Sequence, residues 1–274
     1  MVDELTFKRE LNDIQDELVT YHNTNGAYQL FKLFGEKYAD LLVVTDTEDT
    51  IHRYFSDTIA MTLFNAIDAH DWSVEVEHLA LPISQYYFIK AELLDAKDDN
   101  YAEALLNYGI GLTLEPTNVP AALKVVALAT RHQDWPTVQK WATYAWQYAY
   151  QVADVAAVFE ALANYTYSYQ HNAHVGVVLL TISCAFNETN GRIAKLSTWN
   201  EQLSLPLDDL TDADFALVTD AGLPINYNEA IEVALTEFGT TLLEMELTAQ
   251  AKTLYQDLLT LTDDEDYAEI LSEL

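Results

Sequence analysis

The sequence predicts an all-α protein built from antiparallel pairs of helices, and three observations lead to this prediction. Gly and Pro are scarce, at 8 and 6 of 274 residues, which argues against an all-β chain rich in turns. Ala, Leu, Glu, Gln and Tyr dominate long unbroken stretches, so helix is the default structure. Short polar turns separate these stretches of about 12 to 20 residues, and short connections join antiparallel neighbours.

The first three helices follow from the spacing of apolar residues. Apolar side chains recur mostly at steps of three or four residues from Glu4 to about His22, as expected for a helix. The polar run Asn23–Gly26 has the composition of a turn and ends this helix. A second helix is predicted from about Ala27 to Val44 and a third from about Thr50 to His70.

Three turns between predicted helices resemble each other. Each places a polar capping residue before an aromatic residue that begins a helix, at His70–Trp72, Asp99–Tyr101 and Gln133–Trp135. Tyr101 and Trp135 lie 34 residues apart. A fixed period of this size indicates that the chain contains internal repeats.

The segment YAEALLNYGIGLTLEP, Tyr101–Pro116, has the residue pattern of one repeat. Small and bulky residues recur at fixed positions before and after a turn, and the matching residues are Ala91, Leu94, Ala104, Tyr108, Gly111 and Pro116. With the 34-residue period, this pattern resembles the tetratricopeptide repeat. A second good match near the C-terminus uses Phe238, Gly239, Leu242, Ala251, Tyr255 and Leu258, and degenerate units span 126–145 and 165–185.

Small residues in these units predict close packing between helices. Ala104 and Gly111 are expected to let neighbouring helices approach each other, and Tyr108 to fill the space between units. Gly109 and Gly111 each cost about 1 kcal/mol relative to Ala in a helix interior. We therefore expect close packing to compensate for both glycines.

The resemblance implies an α-solenoid whose helix pairs form a right-handed superhelix with a concave groove. The first helices of successive units line such a groove, and the residues expected to face it are Phe88, Glu92, Asp95, Arg131, Tyr167, Gln170 and His171. Aromatic, amide and carboxylate groups suit a peptide ligand. Some members of the family clamp a C-terminal carboxylate with basic residues. Here Arg131 is the single basic residue of the predicted groove and Glu92 and Asp95 lie beside it, so that function is not expected.

The charge of the chain limits its partners. The formal net charge is −31, from 44 acidic and 13 basic residues. Such a chain repels phosphate backbones and anionic membrane surfaces, so neither nucleic acid nor membrane is an expected partner. Electrostatic steering favours a neutral or basic protein or peptide. The N-terminus lacks the charged and apolar regions of a signal peptide, and a cytoplasmic location is predicted.

Composition divides the chain into three segments. Residues 1–186 form the predicted helical array, 187–226 an irregular acidic connector with short helices, and 227–274 a helix pair with a capping helix. From Leu196 to Ala251 the chain has no Lys or Arg. Whether this acidic region is functional or only increases solubility is left open, as is homodimerisation through the last helix.

Residues with catalytic or metal-binding chemistry occur without the arrangement that such chemistry requires. The acidic run Asp208, Asp209, Asp212 and Asp214 lacks the turn glycine of a calcium loop and is better explained as the acidic start of a helix. The Glu-x-x-His pair within Glu75–His78 has no second copy, as a di-iron site would need. The single cysteine, Cys184, lies in an apolar run and is expected to be buried. No cofactor, metal site or catalytic residue is predicted.

Three functions are compatible with these features. The first is a non-catalytic scaffold that binds a protein or peptide in the groove. The second is a peptide-responsive regulator that resembles bacterial pheromone sensors and acts on a protein partner without a DNA-binding domain, because the first 60 or so residues lack the basic face of a DNA-reading helix. The third is an enzyme with an unrecognised site.

Overall fold

The structure is a computed structural model that describes residues 3–68, 73–97, 100–203 and 209–274. In this part of the chain, fourteen α-helices and one pair of short β-strands form, which confirms the predicted all-α class. The turn His70–Trp72, the cap residue Asp99 and the acidic residue Asp208 lie outside the described residues. The right-handed superhelix remains a prediction.

The first part of the chain contains five helices and both strands. In chain order they are α1 Glu4–Gln15, α2 Thr24–Lys37, β1 Thr50–Arg53, α3 Thr58–Ile67, β2 Glu75–His78, α4 Ile83–Ala96 and α5 Tyr101–Leu114. A π-helical turn at Asp16–Thr20 follows α1, and a 3₁₀ turn at Ala39–Leu41 follows α2. The first predicted helix is therefore shorter than expected as a regular α-helix, and the second ends before Tyr38.

The remaining chain is helical apart from its connections. Its elements are α6 Val119–Arg131, α7 Trp135–Tyr148, α8 Val152–Ser168, α9 Ala173–Phe186, α10 Asn190–Glu201, α11 Asp212–Asp220, α12 Glu229–Glu244, α13 Thr248–Thr262 and α14 Glu265–Glu273. Packing divides the chain into two compact units, Met1–Met61 with Asp68–Ala121, and Thr62–Ile67 with Ala122–Leu274. These units are based on packing. The three segments predicted from the sequence, 1–186, 187–226 and 227–274, are based on composition, so the two divisions need not coincide.

The third predicted helix, Thr50 to His70, is wrong over its first part. Residues Thr50–Arg53 form strand β1, which pairs in parallel with Glu75–His78, and the helix begins at Thr58. Parallel strands need a crossover connection, and α3 lies in that connection. The pairing is with residues about 25 positions away in sequence, so the helical spacing of apolar residues within this segment was misleading.

Asp46 fixes the position of β1. Its carboxylate accepts hydrogen bonds from the backbone N–H of His52 at 2.7 Å and from the guanidinium of Arg53 at 2.8 Å. Burial alone would raise the pKa of Asp46, but these hydrogen bonds outweigh it and hold the pKa below its ordinary value. A charged carboxylate therefore anchors the end of the strand.

One turn geometry recurs along the chain. The five non-glycine residues with positive φ in the described chain are His22, Gln133, His171, Glu246 and Asp263. Each directly precedes the N-cap residue of a helix, and those caps are Asn23, Asp134, Asn172, Leu247 and Asp264. A left-handed residue closes the preceding helix and the next residue opens another, so the chain reverses within a few residues.

Hydrogen bonds across these turns have the same pattern. The backbone N–H of Asp134 donates to the carbonyl of Ala129 at 2.9 Å, and that of Leu247 to the carbonyl of Leu242 at 2.8 Å. The predicted caps Asn100 and Asp134, 34 residues apart, both accept a backbone hydrogen bond in the first turn of a helix of 14 residues. The turn between α1 and α2 belongs to the same series, although the sequence pattern did not identify that pair as a repeat.

The packing expected for Gly111 is confirmed, and that expected for Gly109 is wrong. A Cβ on Gly111 would lie 2.3 Å from Cε1 of Phe88, so the absence of a side chain at Gly111 leaves room for the Phe88 ring between α4 and α5. A Cβ on Gly109 would meet no atom within 4 Å. Two residues turn an α-helix by about 200°, so the two glycines face opposite sides of α5.

Glu115, which follows α5, is a buried acidic residue. Its side chain is 7% exposed and accepts a hydrogen bond from Oγ of Ser84 at 2.7 Å. Burial raises the pKa of the Glu115 carboxyl, and hydrogen bonds from Ser84 and Asn118 offset this only in part. Because the folded state then binds the proton more tightly than the unfolded state, the charged form costs stability as pH rises above the unfolded-state pKa.

We expect Glu115→Gln to raise the free energy of unfolding at neutral pH by about 1 kcal/mol, because the amide keeps the Ser84 hydrogen bond without a buried charge. The gain should disappear below the ordinary pKa range of Glu. Urea unfolding of both proteins at several pH values measures the difference. A gain that grows as pH falls would contradict the assignment of Glu115 as a buried acid of raised pKa.

Candidate functional site

The groove residues predicted on α4 lie in the first unit and have intramolecular contacts. Phe88 is 8% exposed, and its ring packs against Gly111 and lies 6.3 Å from the ring of Tyr108. Glu92 accepts a hydrogen bond of 2.7 Å from the amide of Gln15 on α1. Asp95 is partly buried. The Phe88 ring therefore fills the space between α4 and α5.

The other four predicted groove residues lie in the second unit. Tyr167 stacks on Trp199 with ring centroids 4.0 Å apart, and its hydroxyl donates to Gln202 at 2.5 Å. Gln170 donates to the hydroxyl of Tyr165. His171 is the left-handed residue of the α8–α9 turn, and Arg131 is the last residue of α6. The function of these seven residues as a groove stays a prediction.

A pocket in the first unit has features of a binding site that the sequence pattern did not predict. It has a volume of about 610 Å³, within the range of about 300–1,000 Å³ typical of ligand pockets. Residues of α2, the following turn, α4 and α5 line it. They are Tyr28, Phe31, Lys32, Gly35, Glu36, Ala39, Tyr86, Lys90, Leu93, Leu94, Lys97 and Glu103. We call this the α2–α4 pocket.

The floor of the α2–α4 pocket is apolar and aromatic. Phe31 and Tyr86 stack with their ring centroids 4.6 Å apart and their planes 13° from parallel. A Cβ on Gly35 would lie 3.2 Å from the hydroxyl oxygen of Tyr86, so the absence of a side chain at Gly35 leaves room for that ring. Burial raises the pKa of the Tyr86 hydroxyl above its ordinary value. The floor suits an apolar or aromatic group.

Charged side chains surround this floor. Lys97 places its ammonium 3.4 Å from the centroid of the Tyr28 ring, a cation–π contact at one end of the pocket. Lys90 of α4 lies 3.7 Å from a carboxylate oxygen of Glu103 on α5, and Lys32 lies 3.9 Å from Glu36 one turn along α2. Three of the thirteen basic residues of the chain thus lie around one pocket.

A signal for this pocket is present in the sequence. Tyr86 and Lys90 are four residues apart, Leu93 and Leu94 lie three and four residues after Lys90, and Lys97, the C-cap, lies four and three residues after them, so all five share one face of α4. That face differs from the one that carries Phe88, Glu92 and Asp95. What the spacing does not reveal is that α2 packs beside this face, because α2 lies about 50 residues earlier in the chain.

Among the groups considered for metal binding, Asp214 and the Glu75–His78 segment have structural roles. Asp214 accepts hydrogen bonds from the backbone N–H and hydroxyl of Thr211 and is contacted by His174 Nε2 at 2.6 Å, so it completes the N-terminal cap of α11. The Glu75–His78 segment is strand β2. Among residues 3–68, 73–97, 100–203 and 209–274, no group of three or more His, Cys, Asp or Glu residues is placed to hold a metal ion.

The surroundings of Glu160 and Cys184 give neither side chain a catalytic character. Burial alone would raise the pKa of Glu160, but hydrogen bonds and charges from Lys195 and Arg192 outweigh it and lower the pKa, so the carboxylate stays ionised and joins α8 to α10. Cys184 is partly exposed, in contrast to the full burial expected. Burial nevertheless raises the pKa of its thiol, so the nucleophilic thiolate is disfavoured.

Within the described residues, none of the helices is both long and apolar enough to cross a membrane. Comparisons with protein-family models, with curated proteins and with solved structures find no match to this chain.

Proposed function

We propose that this protein is a non-catalytic binding protein made of tetratricopeptide-like helical repeats and that it binds a segment of a protein or peptide in the α2–α4 pocket. The observation that carries the proposal is an apolar, aromatic floor bordered by three lysines, one on α2, one on α4 and one at the C-terminal cap of α4. Apolar pockets with a few placed charged groups bind ligands and fix their orientation.

The recurring left-handed residue before a helix cap supports the repeat part of the proposal. Repeat proteins stack similar helix pairs, and a shared turn geometry is what such stacking requires. The proposal includes the right-handed superhelix and a cytoplasmic location. The seven residues of the predicted groove are a weaker basis for a site, since Phe88 is buried and Glu92 and Tyr167 have partners within the chain.

The shape of the pocket favours a chain segment as ligand. Its lining on α4 runs from Tyr86 to Lys97, which is about 16 Å along a helix. Lys32, Glu36 and Ala39 on the opposite side are exposed to solvent, so the pocket is a surface depression. A segment that lays one large side chain into such a depression uses the helix-in-groove or extended mode of peptide recognition.

We expect Ala39→Trp to abolish binding at this pocket. Ala39 is exposed at the pocket wall, so the indole can occupy the depression without disturbing the core. Peptides selected by display on the wild-type protein should carry a recurrent large apolar residue. They should bind the variant at least about tenfold more weakly, which corresponds to about 1.4 kcal/mol. Fluorescence anisotropy of the labelled peptides measures both affinities.

The matched control is Ala249→Trp, which adds the same side chain at an exposed residue in the first turn of α13. This variant should bind the selected peptides as tightly as the wild-type protein does. Failure to select any peptide above background, or equal binding to the Ala39→Trp variant, would reject the pocket as the binding site.

A further inference from the structure

The α2–α4 pocket differs in charge from the rest of the chain. Its lining has three lysines and two glutamates, a balance of about +1, whereas the whole chain has a formal net charge of −31. Charges across an interface are arranged to be complementary, so a local excess of positive charge points to an anionic group on the ligand. The whole-chain charge alone had favoured a neutral or basic partner.

The lysines retain the capacity to bind a carboxylate. The Lys90–Glu103 and Lys32–Glu36 pairs are separated by 3.7 and 3.9 Å, which is longer than a charge-assisted hydrogen bond of about 2.7–2.9 Å. The side chains of Lys32 and Lys90 are 64% and 35% exposed. Exposed pairs at such distances contribute little to stability, so an incoming carboxylate can draw either ammonium group towards it at low cost.

Lys97 has a different role at the end of the pocket. Its ammonium lies over the Tyr28 ring, which holds the charge beside the apolar floor. A ligand that places an apolar side chain on the Phe31–Tyr86 floor therefore meets positive charge within a short distance of that side chain. The arrangement suits an apolar anchor with an acidic side chain about one helical turn away.

We propose that the segment bound in the α2–α4 pocket is acidic, with an Asp or Glu next to a large apolar anchor, and that Lys32 and Lys90 select its carboxylate. This inference rests on the proposed function, because it names the chemistry of the partner of the same site. The net charge of −31 disfavours an acidic segment over the chain as a whole, so repulsion elsewhere would add to the specificity of the pocket.

The test uses three pools of synthetic peptides of about ten residues, which span about 15 Å as a helix. All have a central Trp, blocked termini and a fluorescent label, and their other positions mix Gly and Ser with Asp and Glu, with Asn and Gln, or with Lys and Arg. We expect the acidic pool to bind the wild-type protein at least about tenfold more tightly than the basic pool. Ala39→Trp should abolish this binding.

Charge reversal in the pocket provides the sharper measurement. The double variant Lys32→Glu with Lys90→Glu should bind the basic pool more tightly than the acidic pool, which reverses the order found for the wild-type protein. The matched control is Lys252→Glu, because Lys252 is an exposed lysine on α13, and its replacement should leave the order unchanged. Circular dichroism of each variant verifies that the helices are intact.

The outcomes separate this inference from the proposed function. In one outcome, peptides bind, Ala39→Trp weakens their binding, and the acidic and basic pools bind with equal affinity. The proposed function then stands and the inference is overturned. If no pool shows binding that Ala39→Trp removes, the proposed function fails. In a third outcome, no peptide pool binds, but decanoate binds saturably and Ala39→Trp abolishes that binding. This result would overturn both the proposed function and the inference, and would indicate that the ligand is a small amphipathic acid.

Discussion

Replacement of Phe7 by Ala is expected to lower the free energy of unfolding of the first unit by about 3–5 kcal/mol, the usual cost of removing a buried phenyl ring. Phe7 is fully buried, and its ring centroid lies 4.9 Å from those of Phe34 and Tyr38. The three rings join α1 to α2 and to the residue that follows α2. Removal of the central ring leaves a cavity that neither helix can fill.

The Phe7→Ala variant also tests the pocket, because α2 provides its wall. Hydrogen exchange should increase along α1 and α2, and binding of the selected peptides should weaken as the position of α2 becomes less fixed. Leu5→Ala is the matched control, since Leu5 is 77% exposed on the same helix and its loss should change stability by less than about 0.5 kcal/mol. A loss below about 1 kcal/mol for Phe7→Ala would mean that α1 does not pack as described.

Replacement of Gly176 by Val is expected to lower the free energy of unfolding of the second unit by about 3 kcal/mol, at the upper end of the usual cost of overpacking. A Cβ at this position would lie 2.9 Å from Cβ, 3.2 Å from the backbone N and 3.3 Å from Cα of Tyr167. Two of these atoms are backbone, so the clash cannot be relieved by a change of side-chain rotamer. Separation of α8 and α9 is the remaining response.

Thermal unfolding and hydrogen exchange of α8 and α9 measure the effect of Gly176→Val. The matched control is Gly109→Ala, where a Cβ meets no atom within 4 Å. This control should raise stability by about 1 kcal/mol, because Ala favours a helix interior over Gly. If the valine variant exchanged no faster than the wild-type protein, the close contact between Gly176 and Tyr167 would be contradicted.

The features that the sequence predicted correctly depend on short stretches of chain. The all-α class follows from helical spacing of apolar residues and from the scarcity of Gly and Pro. Asn100 and Asp134 cap helices because the side chain and the backbone N–H groups that it binds are three residues apart. Gly111 permits close packing within a helix pair joined by a short turn. The helical spacing and the caps are local, and the Gly111 contact joins two helices that are consecutive in the chain.

The features that the sequence did not predict depend on residues far apart in the chain. Strand β1 exists because it pairs with Glu75–His78, and no local pattern of four residues can specify a distant partner. Gly109 resembles Gly111 in sequence but faces the opposite side of α5, so its surroundings depend on what packs there. Both errors arise because the environment of a residue is a tertiary property.

The candidate site shows the same division. The sequence by itself determined most of the helices, the caps Asn100 and Asp134, and the spacing that places residues from Tyr86 to Lys97 on one face of α4. Only the tertiary structure placed α2 beside that stripe, stacked Phe31 on Tyr86 and gathered three lysines around one apolar floor. Helix formation follows from interactions between residues three or four apart, whereas a pocket is made by side chains that only packing brings together.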